Sequence, residues 1–214
     1  MAIRKIPDVL IPGERELLLN QFLLPPEGQE IEDEEEFRPP GRPVSTLSRL
    51  RDLCLVRLML NSGLRCSEVL KLRRRDIELA TGRVWVRNGK GGKDRVLWLG
   101  EADVGLLTVY LEALGNLSLG APDSPIFLNL KGEPLKGRYV RKMVAEAARE
   151  AGVQKQVHPH TLRHTFATDL LRATKNLRLV QKALGHARVE TTTIYTHIVD
   201  DELEDAMKHF RSGG

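Results

Sequence analysis

The stretch from residue 46 to residue 61 constrains the fold of this chain more than any other. Its apolar residues are spread around the whole circumference of a predicted helix: Leu47, Leu50, Leu53, Cys54, Val56, Leu58, Met59 and Leu60. Such a helix must be covered on every side, so we expect it at the centre of a domain. The chain has 214 residues, of which 41% are apolar, enough to form one globular domain around this helix.

Other predicted elements can surround the central helix. Hydrophobic periodicity predicts further helices over 12–24, 67–72, 101–115, 137–151, 160–173, 176–184, 189–196 and 201–210. Residues 83–87 and 94–99 instead alternate apolar and polar side chains, and a glycine-rich tip with Lys90 and Lys93 separates them. This pattern predicts a β-hairpin. The expected fold class is mainly α with a small antiparallel β-sheet (α+β).

The first 43 residues differ from the rest in composition. Residues 27–36 hold seven acidic side chains and no Lys or Arg, and five of the eleven prolines lie between residues 25 and 43. We therefore predict an N-terminal helix with an acidic, proline-rich linker over 1–43 and one domain over 44–214. Without the acidic run, 33 basic residues face 22 acidic ones, a net charge of +11. A body this basic favours a polyanionic partner, nucleic acid first.

Several classes of protein are disfavoured by the sequence. No apolar run approaches the 18 residues of a membrane span, and the N-terminus lacks the apolar core of a signal peptide. Two cysteines cannot form a disulfide framework or a four-cysteine zinc site. We expect a cytoplasmic protein.

Three segments carry residues suited to phosphate chemistry. His160 and Arg163 share a face of one predicted helix, where an imidazole and a guanidinium can cradle a phosphate. Arg65 lies two residues after Gly63, at the start of a short predicted helix, although simple pairing with Glu68 would also explain it. His186 follows Gly185, a predicted helix cap, and Tyr195 lies nine residues further on.

Taken in order, these segments resemble the catalytic domain of the tyrosine recombinases, the phage integrase family. The resemblance rests on SGLRCSEVL at 62–70, HTLRHTFAT at 160–168 and LGHARVETTTIYTH at 184–197. The hairpin tip GKGGKDR at 89–95 is similar to the lysine-bearing turn of that family. The match runs from about residue 44 to residue 200, and it implies the fold of that catalytic domain.

The resemblance also implies a role for six residues. Tyr195 would be the nucleophile, Arg65 and Arg163 would clamp the scissile phosphate, and Lys93 would protonate the leaving 5′ oxygen. His160 and His186 would assist by proton handling and by hydrogen bonds to the phosphate. The implied function is site-specific cleavage and rejoining of double-stranded DNA through a 3′-phosphotyrosine link, with no metal, ATP or other cofactor.

The sequence also allows other assignments. Lys90 competes with Lys93 for the role of acid, and a type IB topoisomerase would use the same chemistry to relax DNA. His158, His160 and His164 lie close enough in sequence to suggest a metal-dependent hydrolase. The N-terminal core-binding domain usual in the family is expected to be absent, so a truncated recombinase that only binds DNA is a further alternative.

A last expectation concerns self-association. Residues 201–210 form an amphipathic stretch after the predicted nucleophile. In the family this segment packs on a neighbouring protomer of a tetramer on DNA, and packing within the same chain is the simpler alternative.

Overall fold

The fold is mainly helical with one small sheet, as the sequence predicts. A computed structural model describes residues 8–23, 46–87, 94–117 and 123–185. Within these ranges the elements are α1 (Pro12–Asn20), α2 (Thr46–Ser62), α3 (Cys66–Val69), β1 (Ile77–Glu78), β2 (Arg83–Val86), β3 (Arg95–Trp98), α4 (Glu101–Asn116), α5 (Gly137–Glu150), α6 (Pro159–Thr174) and α7 (Leu177–Leu184). None of these helices has the length and apolar character that crossing a bilayer requires.

Helix α2 lies at the centre, which confirms the prediction from its apolar circumference. It packs against α4 on one side and α6 on another, with α1 and α3 also in contact. Leu55, Val56 and Met59 are completely buried. Burial of whole apolar side chains of this size stabilises a fold by about 1.5–3 kcal/mol each, so α2 holds the largest part of the core together.

Two charged residues of α2 are buried with the apolar ones. Arg51 Nε donates to Asp52 Oδ1 at 2.9 Å, and the Tyr139 hydroxyl donates to Asp52 Oδ2 at 2.6 Å. Arg51 Nη1 also donates to the carbonyl of Leu128 at 3.0 Å. Because each buried charge is paired and hydrogen-bonded, this group joins α2 to α5 without leaving an isolated ion in the core.

The sheet has the order β1-β2-β3 and is antiparallel throughout. Strands β2 and β3 confirm the predicted hairpin, with Val84 opposite Leu97 on the face toward the core. The outer face carries both tryptophans, Trp85 and the 63% exposed Trp98. Strand β1 was not predicted, because two residues are too few to show an alternating pattern. The hairpin tip at 88–93 lies outside the described residues.

Helix α1 is shorter than predicted but firmly docked. It ends at Asn20, and the turn that follows buries Phe22, whereas the sequence pattern placed residues 21–24 in the helix. Leu18 is completely buried, and the backbone N–H of Leu10 donates to Thr165 Oγ1 on α6 at 2.9 Å. The predicted boundary between residues 43 and 44 falls outside the described part of the chain.

The other predicted helices agree with the structure where it describes them. Helices α4, α5, α6 and α7 lie within one or two residues of the predicted bounds. The short helix predicted over 67–72 is instead α3, which begins at Cys66 and ends at Val69. The helices predicted over 189–196 and 201–210 lie outside the described residues.

The hydrogen bond between α1 and α6 gives a first prediction. Thr165→Val should lower the free energy of unfolding by about 1–3 kcal/mol, because the buried N–H of Leu10 loses its acceptor. Thr108→Val is the matched control, since among the described residues the Thr108 hydroxyl donates only to the carbonyl of Val104, at 2.9 Å. We expect this control to change stability by less than about 0.5 kcal/mol in urea unfolding. Equal losses in both variants would contradict the docking role.

Candidate active site

The structure describes three of the six predicted site residues. Arg65 immediately precedes α3, and His160 and Arg163 lie in the first two turns of α6. Lys93, His186 and Tyr195 lie outside the described residues, so their places in the site stay predictions. The choice between Lys90 and Lys93 is likewise untested, because both belong to the same undescribed tip.

Arg163 joins all three segments that the sequence singled out. Its guanidinium is almost completely buried, and Nη1 donates to the carbonyl of Gly63 in the first segment. Nη2 donates to the carbonyl of Leu184, the first residue of the third segment, at 2.7 Å. Acceptors that lie 100 residues before Arg163 and 21 residues after it therefore meet at one side chain.

Gly63 allows this close approach. Its φ of +62° is one that side chains other than glycine adopt at a cost, and a Cβ there would overlap the ring of Phe166 on α6. The same Cβ would lie 3.0 Å from Leu184 Cδ2. The glycine in the first segment is thus required by its contacts with both other segments.

A buried carboxylate stands between the arginines. Glu68 Oε1 accepts from Arg65 Nη1 at 2.7 Å, and Oε2 accepts from the Arg65 backbone N–H at 2.8 Å. Arg95 Nη1 and Nη2 donate to Oε1 and Oε2 at 2.9 and 2.8 Å. Arg163 Nη1 forms an ion pair with Oε2 at 3.8 Å. Glu68 is therefore more than the partner of Arg65 that the sequence suggested.

The charge of this cluster favours an anionic ligand. Burial raises the pKa of the Glu68 carboxyl, but hydrogen bonds from Arg95 and Arg65 outweigh it and hold that pKa at about 2. Glu68 is thus ionised at neutral pH and compensates one of three guanidinium charges. Two positive charges remain in excess. The Arg65 side chain is 19% exposed and can present part of this charge to a ligand.

The two histidines of α6 differ in their surroundings. His160 is exposed one residue after Pro159, the first residue of α6. His164 is half-buried, and burial together with electrostatic repulsion from the neighbouring His160 and Arg163 side chains lowers its pKa to about 4. His164 is therefore neutral at pH 7 and suits a packing role. Across the described ranges no three His, Cys, Asp or Glu residues are placed to hold a metal ion.

Sequence reasoning missed the roles of Glu68 and Arg95. Arg95 ends the hairpin-tip segment 89–95, and the family resemblance implies no role for it. A signal was present, because Arg95 and Leu97 share the face of β3 that points to the core, while Val96 and Trp98 share the other. A charged residue on the inward face of a strand indicates a buried ion pair.

The amino-acid sequence of this chain is similar to those of known recombinases. A sequence model described as the phage integrase family matches residues 43–202. The tyrosine recombinase XerC of Pelobacter propionicus is 42% identical over 154 residues, which is 72% of this chain and 50% of that protein. The chain thus spans about half the length of the curated relatives it matches.

Solved structures share the fold over nearly the whole chain. The crystal structure of XerA recombinase has a TM-score of 0.74 and 30% identity, covering 98% of this chain and 67% of that one. XerH recombinase, bound to a palindromic difH substrate in a post-cleavage complex, has a TM-score of 0.73 and 30% identity, covering 95% and 53%. The catalytic-domain fold expected from the sequence is confirmed.

The Glu68 carboxyl gives a prediction about pH. Its pKa is depressed from 4.5 to about 2 in the folded chain, so its ionisation stabilises the fold above pH 4.5 and is lost as the pH falls toward 2. A depression of this size corresponds to roughly 3 kcal/mol at pH 7. We expect the difference in unfolding free energy between wild type and Glu68→Gln to fall by more than half between pH 7 and pH 3.

Urea unfolding at a series of pH values measures this difference. Glu112→Gln on the exposed surface of α4 is the control, with an expected change below about 0.5 kcal/mol throughout. A difference for Glu68→Gln that stays constant with pH would contradict the assignment.

Proposed function

Because this chain belongs to the phage integrase family of tyrosine recombinases, we propose that it is the catalytic domain of a site-specific DNA recombinase. It would cleave and rejoin DNA strands through Tyr195. The observation that carries the proposal is the pair of hydrogen bonds from Arg163 to Gly63 and Leu184, which brings the three segments of the family motif together.

The proposed reaction balances without an external energy source. The Tyr195 phenol oxygen attacks the scissile phosphorus, its proton passes to an imidazole, and a phosphorus–tyrosine bond forms as the bond to the 5′ oxygen breaks. Lys93 gives a proton to that leaving oxygen, which departs as a 5′-hydroxyl. The phosphotyrosine ester keeps the energy of the broken bond, so a 5′-hydroxyl of either strand can reverse the step.

Arg65 and Arg163 would stabilise the charge that grows on the phosphate during attack. Arginine suits this role because its planar fork donates two hydrogen bonds at a fixed angle. In this chain two carbonyls hold the guanidinium of Arg163 and Glu68 holds that of Arg65, so both groups have a defined orientation before DNA binds. Donors fixed in advance are worth roughly 3–4 kcal/mol each in comparable sites.

The surface beside Arg65 suits the DNA backbone. Lys136 directly precedes α5, and the first half of the helix carries Arg138, Arg141 and Lys142; all four cations are exposed. A Cβ at Gly137 would lie 3.8 Å from Cys66 Sγ, so this end of α5 touches the start of α3. The basic start of α5 therefore continues from Arg65 and provides a run of positive charge for phosphates.

The names of the relatives favour recombination over the topoisomerase alternative. XerC and XerA are recombinases, and XerH has been solved bound to a difH substrate. Since this chain spans only half of its curated relatives, complete recombination is proposed for the protein that contains the domain, with double-stranded DNA as partner. Self-association through residues 201–210 belongs to the same proposal.

Covalent trapping tests the chemistry without knowledge of the DNA target. The chain is incubated with a pool of nicked duplexes whose arms are randomised, so that cleavage near the nick releases a short fragment and traps the adduct. We expect an adduct that withstands denaturing electrophoresis and is absent in Tyr195→Phe. Tyr110→Phe is the control and should keep the adduct, because Tyr110 is completely buried.

Two outcomes of this trapping experiment count against the proposal. One is an adduct of normal yield in Tyr195→Phe, which would place the nucleophile elsewhere. The other is binding of the recovered duplexes by wild type with no adduct.

The basic start of α5 gives a prediction about salt. Arg141→Gln should reduce the slope of log Kd against log salt concentration by about 1, because one phosphate contact is lost. Arg149→Gln at the other end of the same helix is the matched control and should leave the slope unchanged. Fluorescence anisotropy with a labelled duplex measures both. Equal slopes for all three proteins would exclude this surface from the DNA interface.

A further inference from the structure

Arg95 makes more directed contacts than its position at the start of a strand requires. Its Nη1 and Nη2 donate to the two oxygens of Glu68 at 2.9 and 2.8 Å, and its Nε donates to the carbonyl of Ala183 at 3.0 Å. The side chain is only 9% exposed. All three guanidinium nitrogens thus face fixed acceptors, so the plane of the group has one orientation.

The first of these partners controls the two predicted phosphate clamps. Glu68 bonds the backbone and the guanidinium of Arg65, and it pairs with Arg163. A carboxylate held by Arg65 alone could rotate about its terminal torsion angle, because the values of that angle are broadly distributed in glutamate. The two parallel bonds from Arg95 fix that torsion and so fix where Arg65 is held.

The second partner lies at the carboxyl end of α7. Ala183 accepts from Arg95, and the next carbonyl, that of Leu184, accepts from Arg163. Gly185 has a φ of +63°, and a Cβ there would lie 3.0 Å from Arg95 Cδ and 3.2 Å from Nη1. Arg95 therefore packs against the bare backbone that leads directly to His186, and it stands two residues after Lys93 in the chain.

We propose that Arg95 is a positioning residue for DNA strand cleavage: it holds the Glu68 carboxylate and the carboxyl end of α7 in one arrangement, and thereby sets the clamp formed by Arg65 and Arg163. The proposal rests on the recombinase function proposed above. Arg95 acts through Glu68 and the backbone of α7. Its loss should slow the chemical step and leave the affinity for DNA nearly unchanged.

The test uses a duplex recovered from the nicked pool and measures the rate of adduct formation in a single turnover at saturating DNA. Arg95→Lys keeps the charge but cannot reach both oxygens of Glu68 and the Ala183 carbonyl with one ammonium group. We expect its rate to fall roughly 10- to 100-fold, the range that a misplacement near 1 Å produces, and its Kd for the duplex to stay within about threefold.

A second variant displaces Arg95 without replacing it. Gly185→Ala introduces a Cβ against the Arg95 side chain, so we expect it to reproduce the slow rate of Arg95→Lys. Gly152→Ala is the matched control, with a similar φ of +74° and nothing within 4 Å of the added Cβ. It has the same backbone strain but should cleave at the wild-type rate.

The readouts separate positioning from plain stability. All rates are measured well below the melting temperature of each variant, and the signals of the Arg65 and Arg163 guanidinium N–H groups are followed by NMR. We expect those signals to broaden in Arg95→Lys and Gly185→Ala and to stay sharp in Gly152→Ala. Wild-type rates with sharp signals in both variants would overturn the role of Arg95. An adduct missing from wild type itself would instead reject the proposed function.

Discussion

The ionised carboxylate of Glu68 is the group on which the site depends. Burying a guanidinium without a counter-charge costs several kcal/mol, and here three guanidinium groups approach the same place from different parts of the chain. One carboxylate with two oxygens offers enough acceptor positions for these partners only if its plane is fixed. The cluster therefore has an excess of positive charge, and its donors are oriented before any ligand arrives. An anion such as a phosphodiester supplies the charge that the protein leaves uncompensated.

The central position of α2 was predictable because its apolar residues lie all around the helix, which can be buried only at the centre of a domain. A helix apolar around its circumference has to be surrounded, and α2 is. The same pattern did not predict that Arg51 and Asp52 are buried with their apolar neighbours. Their partners include the Leu128 carbonyl, 77 residues away, and Tyr139, 87 residues from Asp52. Hydrogen bonds between segments so distant in sequence have no periodicity, so composition and spacing cannot reveal them.

The active site, too, could be predicted from the sequence only in part. The order of the motifs indicated which segments would meet, and the helical spacing of His160 and Arg163 placed them on α6. The sequence could not show that Arg163 reaches the backbone of both other segments, since carbonyl acceptors are present at every residue. The sequence also could not show the importance of Glu68. Its spacing suggested only a local pair with Arg65, whereas in the structure it is also hydrogen-bonded to Arg95. The predicted roles of Lys93, His186 and Tyr195 stay predictions, because these residues lie outside the part of the chain that the structure describes.

The outer face of the sheet has a consequence for how this protein can be observed. The chain has two tryptophans, and both lie on that face, with Trp98 exposed and Trp85 beneath the guanidinium of Arg83. Tryptophan emission on excitation near 295 nm therefore arises from the strands that flank the lysine-bearing tip, while the core around α2 is silent at that wavelength. Because Trp98 is already in water, its emission should change little when the core unfolds. The emission of Trp98 is better suited to detect the binding of another molecule to the outer face of the sheet.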